Sequence, residues 1–112
     1  MAHILILGGG AAGLAAALAA AQTDPTARVT VLERSPRPGK KLLATGNGRC
    51  NLTNRNAAPE HYHSADTARL ADILERTPPD AVLDFFGEMG LLCDTQADGR
   101  VYPYCYQASM VL

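Results

Sequence analysis

Apolar residues form two short runs within the first third of the chain, with an alanine-rich stretch between them. Residues 2–7 and 28–33 each contain a mainly apolar run of strand length, and residues 11–22 are apolar on almost every face of a helix. Uninterrupted runs are typical of parallel strands buried on both faces, and a helix without a polar face needs neighbours on several sides. The pattern predicts a strand–helix–strand unit with a turn over residues 23–26.

Regular spacing disappears over residues 34–56, and this segment predicts a long glycine-rich loop. A loop of this length without secondary structure is usually functional or disordered. The apolar residues 42–44, and glycines at specific spacing rather than in bulk, favour a functional loop. Residues 57–63 are predicted to be a further loop, whose two histidines lack the third partner of a metal site and are given no role.

Two helices are predicted in the second half of the chain. Residues 65–76 have the apolar spacing of an amphipathic helix. Thr77 is expected to be the N-cap of the next helix, which begins at Pro78 and ends at Gly90.

A hairpin is predicted to follow these helices. Two short strands, residues 91–95 and 100–102, flank an Asp-Gly turn, and Pro103 ends the second strand.

Composition limits the classes of partner and the setting. The net charge of −1 argues against nucleic acid or an acidic membrane as partner. Three cysteines without close spacing fit neither a disulfide framework nor a zinc site, which favours a reducing cytoplasm. The eighteen uncharged residues Ile4 to Ala21 could suggest a membrane span or a signal peptide, but three consecutive glycines interrupt them and no lysine or arginine precedes them.

The junction between the first apolar run and the alanine-rich helix carries the motif G-x-G-x-x-G at residues 8–13. Gly8 permits a tight turn out of the strand, Gly10 lets the backbone approach a pyrophosphate, and Gly13 lets the helix pack close to the sheet. The first amides of the helix, including that of Ala12, would point at the phosphates. The motif alone is weak, but its place between a strand and a helix is specific to dinucleotide binding.

An acidic residue, Glu33, ends the second apolar run twenty residues after Gly13. A carboxylate at this position accepts hydrogen bonds from the adenosine ribose hydroxyls and repels a 2′-phosphate. NADP is therefore disfavoured at this first site. The alternative is an ordinary strand–helix–strand unit with a glycine turn and a surface glutamate.

The segment of residues 34–54 contains five basic residues and no acidic one. Gly46 and Gly48 can leave backbone amides facing an anion, and Lys40, Lys41 and Arg49 supply positive charge. A solvated basic loop would explain the charge but not the coincidence of glycines and basic residues just after the acidic position.

Four stretches carry a resemblance to a known family: GGGAAGLAAA at 8–17, ER at 33–34, GKKLLATGNGRCNLTN at 39–54 and DGRVYP at 98–103. In these the sequence resembles the N-terminal part of the BaiN-like (YhiN-like) NAD(P)/FAD-dependent oxidoreductases. One position departs from the family pattern, because Cys105 stands where serine is common. The resemblance implies FAD as cofactor, NAD(P)H as a possible electron donor, and a longer parent protein.

Motif and resemblance together define the expected cofactor-binding residues. They are Gly8, Gly10, Ala12, Gly13, Glu33, Arg34, Lys40, Lys41, Thr45, Gly46, Gly48, Arg49, Cys50 and Asn51. Cys50 has no second thiol within a few residues, so it is not expected to act as a redox pair. No residue is a convincing acid, base or nucleophile.

The expected fold class is α/β: a partial Rossmann-like FAD-binding domain with a βαβ unit, a long glycine-rich loop, two helices and a C-terminal hairpin. Residues 1–112 are expected to be the truncated N-terminal portion of an FAD/NAD(P)-binding domain. The expected function is that of a flavin-dependent oxidoreductase acting on a small molecule, with no nucleic-acid or membrane partner. A tRNA-modifying flavoprotein and an inactive fragment stay open as alternatives.

Overall fold

Two parallel strands and the helix between them form the first part of the chain. The structure, a computed structural model, describes residues 1–112, which divide into one unit of residues 1–44 with Leu112 and another of residues 45–111. In the first unit β1 (His3–Leu7) pairs in parallel with β2 (Arg28–Leu32). Between them lies α1 (Ala11–Thr23), whose alanines have the highest helix propensity of any residue. The predicted strand–helix–strand unit is confirmed.

Only one face of this two-stranded sheet is covered. Ile6 faces α1, since its Cγ2 lies 3.5 Å from where a Cβ on Gly13 would be. On the other face Leu5 and Leu7 are 55% and 79% exposed, and α1 itself has no buried residue. In this part of the protein that face is therefore exposed, and the expectation that both faces of the strands and several sides of the helix are covered stays a prediction.

The predicted loop of residues 34–56 contains regular structure, which corrects that prediction. α2 (Lys40–Gly48) lies within it, and Thr45, Gly46 and Asn47 interrupt its helical backbone. β3 (Thr53–Asn54) follows. The segment has few apolar positions, so its short elements have no sequence period that could reveal them.

The second unit is centred on a three-stranded antiparallel sheet. β4 (Cys93–Thr95) and β5 (Arg100–Pro103) form the predicted hairpin, and β3 adds to the other side of β5 in the order β3-β5-β4. Gly99, with φ +88°, permits the turn. The buried centre of the unit is the middle strand: Val101, Tyr102 and Pro103 are its most completely buried side chains.

Two helices and two short 3-10 turns complete the second unit. They are α3 (Thr67–Arg76), α4 (Pro79–Glu88), and the turns Pro59–His61 and Ala108–Met110. Both predicted helices are confirmed, but the predicted N-cap at Thr77 is wrong. Thr77 ends α3, where its hydroxyl donates to the Ile73 carbonyl oxygen at 2.6 Å, and Pro78 is the N-cap of α4. No helix combines the length and apolar character that a membrane span requires.

Candidate cofactor-binding site

The glycine turn after β1 has the geometry that its sequence predicts. Gly8 has φ +98°, a backbone conformation that favours glycine, and its amide donates to the Leu32 carbonyl oxygen at 2.7 Å. A Cβ on Gly13 would lie 1.9 Å from the Gly8 carbonyl oxygen. Both glycines are therefore required by the fold, because they let α1 begin directly against the turn.

Gly10 is different, since the fold gives no reason for glycine there. Its backbone is extended, with φ −80° and ψ −173°, and a Cβ would meet no protein atom within 4 Å. Gly10 is the N-cap of α1 and supplies no side chain to bond the amides of the first turn. A serine at an N-cap would do so and stabilise the helix. Glycine at this position leaves the backbone open to close approach from outside the chain.

The Glu33 carboxylate joins the end of β2 to the glycine turn. Its Oε2 accepts from the Gly9 amide at 2.7 Å and its Oε1 from the Ser35 amide at 2.8 Å. These two backbone donors, Ser35 first, hold the pKa of Glu33 below its usual value. Each carboxylate oxygen has a further lone pair for a ligand hydroxyl.

A cleft of about 310 Å³ lies beside this carboxylate in the first unit. Basic side chains dominate its charge, since Glu33 is its one acid. The lining residues are Gly9, Gly10, Glu33, Arg34, Ser35, Arg37, Gly39, Lys40 and Lys41. The cleft thus brings together five of the residues expected from the sequence and suits an anionic ligand with hydroxyl groups.

Four lining residues were not expected from the sequence: Gly9, Ser35, Arg37 and Gly39. The Gly39 amide donates to the Gly9 carbonyl oxygen at 2.7 Å, and Gly39 has φ +71°. A Cβ on Gly9 would lie 2.9 Å from that of Pro38. The Pro38-Gly39 pair, a turn signal just after the acidic position, was the available sign that the chain turns back onto the glycine motif.

The second unit holds six of the expected residues in a strained loop, residues 45–51, and Gly8, Ala12 and Gly13 lie in the first unit at the glycine turn and the start of α1. Gly46, Asn47 and Gly48 all have positive φ, and so does Cys50 at +58°. Positive φ is unfavourable for cysteine, and such strain concentrates at functional sites. The Cys50 amide donates to the Thr45 carbonyl oxygen at 3.0 Å, which closes the loop.

Asn51 and Cys50 hold this loop to the sheet. With its side-chain NH₂ group facing β5, Asn51 donates to the carbonyl oxygens of Val101 and Thr53 at 3.1 and 2.9 Å. The Cys50 side chain is buried. These contacts give both residues a role in positioning the loop.

The Arg49 side chain lies against the Tyr102 ring. Its guanidinium carbon lies 4.8 Å from the centre of the Tyr102 ring, and its Nε donates to the Gly46 carbonyl oxygen at 3.2 Å. It forms no salt bridge, so its charge is available to an anion.

The cysteines are all free thiols. Cys93, distant in sequence, is close enough to Cys50 to interact with it. Burial raises the pKa of the Cys93 thiol, and its electrostatic interaction with the Cys50 side chain raises it further. A raised pKa keeps Cys93 protonated and unreactive at neutral pH. Cys105 is exposed.

A second cleft, of about 390 Å³, lies within the second unit. Its lining residues include Asn54, Asn56, His61, Tyr62 and Asp98. None of these is among the expected cofactor-binding residues.

Comparison with known proteins identifies a family that spans almost the whole chain. The family described as "HI0933-like protein Rossmann domain" matches residues 2–112. The chain belongs to this family. The predicted resemblance and the α/β, Rossmann-type fold class are thereby confirmed.

Three curated relatives resemble this member of the HI0933-like family. The 3-dehydro-bile acid delta(4,6)-reductase of Clostridium scindens is 44% identical over 112 residues, all of this chain and 27% of that protein. Ribosomal RNA dihydrouridine synthases of Escherichia coli and Haemophilus influenzae are 30% and 31% identical over 98 residues, 88% of this chain and 24% of each protein. The chain thus spans about a quarter of the length of these relatives.

Proposed function

We propose that this chain is the FAD-binding part of a flavin-dependent oxidoreductase, and that the cleft of the first unit holds the adenosine diphosphate half of FAD. The single observation that carries the proposal is Gly10, where neither backbone conformation nor packing explains glycine. Membership of the HI0933-like family and the 44% identity to a reductase support the same conclusion.

The acidic and the basic residues of the cleft are proposed to bind different parts of the ligand. Glu33 accepts hydrogen bonds from the ribose hydroxyls, and the first amides of α1, including that of Ala12, face the pyrophosphate. Arg34, Lys40 and Lys41 line the cleft and offset the phosphate charge. The binding of FAD thus depends on the backbone at the turn and on side chains around it.

In the loop of the second unit, taken by itself, Arg49 is a further proposed contact for a flavin nucleotide. Its guanidinium has no carboxylate partner and can donate to oxygen atoms of the flavin nucleotide. Thr45, Gly46 and Gly48 belong to the same proposed contact region. Cys50 and Asn51 act there by shaping the loop.

The bound flavin supplies the electron transfer, and this chain binds and orients it. NAD(P)H is the proposed electron donor and a small organic molecule the proposed acceptor, in line with the reductase among the relatives. A reducing, cytoplasmic setting belongs to the same proposal, supported by the three free cysteines. The complete activity is proposed for a polypeptide of the relatives' length, and this part alone is proposed to be inactive.

A comparison of flavins tests the proposal. If the cleft holds the adenosine half, the purified protein binds FAD at least tenfold more tightly than FMN, which lacks that half, and ADP competes with FAD. Flavin fluorescence during titration measures both affinities. Equal affinity for FAD and FMN, or FAD binding that ADP leaves unchanged, would contradict the proposed site.

A second candidate function is reduction of a base in ribosomal RNA. The observation that favours it is the identity of 30% and 31% to two ribosomal RNA dihydrouridine synthases. It differs from the first candidate in substrate and not in cofactor. Incubation of a polypeptide of the relatives' length, carrying this chain as its N-terminal part, with NADPH and unmodified ribosomal RNA separates them. Mass analysis of nucleosides is the readout, because only this candidate predicts dihydrouridine.

A further inference from the structure

One aromatic ring lies beneath the loop of residues 45–51. Tyr102, in the middle of the central strand β5, is only 2% exposed. Its Cε1 lies 3.2 Å from where a Cβ on Gly46 would be, so the ring lies close to the loop at this glycine and leaves no room for a side chain there. The Tyr106 ring packs beside it with a centroid separation of 5.7 Å. The ring is thus held by its contact with Tyr106 as well as by its strand.

Two arginines approach this ring, and only one of them, Arg100, has a carboxylate partner. The guanidinium carbons of Arg49 and Arg100 lie 4.8 and 5.9 Å from the ring centre. Arg100 is paired with Asp98, through Nε at 2.7 Å, and its Nη1 donates to the Tyr102 hydroxyl at 3.2 Å. The Arg100 amide and side chain hold the pKa of Asp98 below its usual value, so the pair is ionised at neutral pH and its charges cancel.

Arg49 has no such neutralising partner. It makes no salt bridge, and its one side-chain hydrogen bond runs from Nε to the Gly46 carbonyl oxygen at 3.2 Å. The guanidinium carbon lies over the ring while Nε is held by the loop. A guanidinium held at the ring and at one nitrogen has little freedom left, and its terminal Nη groups remain as donors.

We propose that Tyr102 is a positioning residue for the cofactor, acting through Arg49. The ring attracts the guanidinium by a cation–π interaction and supports the Gly46 backbone that holds its Nε. Arg49 is then already ordered before the ligand arrives, so binding does not lose the entropy of ordering a long side chain. The proposal deepens the proposed function and depends on it, since the ligand of Arg49 is the flavin nucleotide.

The face of the ring, rather than its hydroxyl, carries this role. Tyr102→Phe keeps the face and loses only the hydrogen bond to Arg100, whereas Tyr102→Leu keeps an apolar side chain and loses the face. We expect Tyr102→Leu to weaken FAD binding about tenfold, and Tyr102→Phe to keep most of the wild-type affinity. Tyr104→Leu is the matched control, because Tyr104 is exposed on the same segment and should leave FAD affinity unchanged.

A double-mutant cycle separates positioning from general support of the fold. If Tyr102 acts through Arg49, then Tyr102→Leu weakens FAD binding about tenfold in the protein with Arg49 but has no further effect when Arg49→Met is already present. A merely structural role would give the same loss in both backgrounds. Flavin fluorescence titration of the purified protein gives the four affinities.

Arg49→Lys provides a second variant if Tyr102→Leu does not fold. Lysine keeps the charge but has neither the planar group nor the Nε donor, so FAD binding should weaken about tenfold although the net charge is unchanged. Wild-type affinity in Arg49→Lys, or equal losses in the two backgrounds of the cycle, would overturn the proposal while leaving FAD binding itself intact. A wild-type protein that binds no FAD would overturn both this proposal and the proposed function.

Discussion

A Cβ on Gly13 would lie 1.9 Å from the carbonyl oxygen of Gly8. The contact is between the first turn of α1 and the backbone of the turn that precedes it, so no side chain can move aside to make room. Close approach of helix and turn at this point is what places the first amides of α1 beside the cleft.

Gly13→Ala should therefore destabilise the protein. We expect a loss of about 1–3 kcal/mol in the free energy of unfolding, because the added methyl forces the backbone apart. Denaturant unfolding measures it.

Gly87→Ala is the matched control for that substitution. Gly87 lies within α4, and a Cβ there would meet no atom within 4 Å. The same chemical change should raise stability by up to about 1 kcal/mol through helix propensity. Equal effects of the two substitutions would contradict the close contact at Gly13.

Gly10→Ser should separate folding from binding. Serine can adopt the extended backbone at this N-cap and can bond the amides of α1, so the free energy of unfolding should stay the same or rise by about 0.5 kcal/mol. FAD affinity should fall at least tenfold, because the side chain enters the space that the pyrophosphate approaches. Wild-type affinity together with wild-type stability would show that Gly10 does not contact the ligand.

Glu33 should make stability depend on pH on the acid side. The Ser35 and Gly9 amides lower the pKa of Glu33 in the folded protein. The contribution of Glu33 to the free energy of unfolding is therefore complete above its pKa in the unfolded chain, and it is lost as pH falls through its pKa in the folded protein. Glu33→Gln should lower the unfolding midpoint at pH 7, and the gap from wild type should close below the lowered pKa. Thermal unfolding of both proteins across that range measures the gap, and a gap that stays constant with pH would refute the carboxylate contacts.

The exposed face of the first sheet should tolerate polar residues. Leu7→Thr changes a residue that is 79% exposed, so stability should change by less than about 0.5 kcal/mol and self-association of the purified chain should decrease. Ile6→Thr, one position earlier and facing α1, should cost about 1–2 kcal/mol. Denaturant unfolding and sedimentation measure these effects, and an equal loss from both variants would mean that the two faces are not distinct.

The parts of the fold that could be predicted from the sequence are those with strong local signals. The apolar runs around Ile6 and Val31 have strand length, and the glycines at 8 and 13 have steric roles that their spacing reveals. The Asp-Gly turn at Gly99 defined the hairpin in the same way. In each case a few adjacent residues determine the geometry.

The features that could not be predicted depend on residues far apart in the chain. Nothing near Thr53 shows that it pairs with Val101, and nothing near Arg49 shows that its guanidinium rests on Tyr102. Thr77 was misassigned because a threonine before two prolines fits an N-cap, whereas its hydroxyl bonds back to Ile73 in the preceding helix. Local signals allow both arrangements there.

Identification of the bound nucleotide tests the central claim most directly. The purified protein is incubated with equal concentrations of FAD and NAD, and unbound nucleotide is removed. The protein is then denatured, and the released cofactor is identified by mass and absorbance. Binding of the adenosine half of FAD at the glycine turn predicts release of FAD at about one per chain. Release of NAD in place of FAD, or of neither, would contradict it.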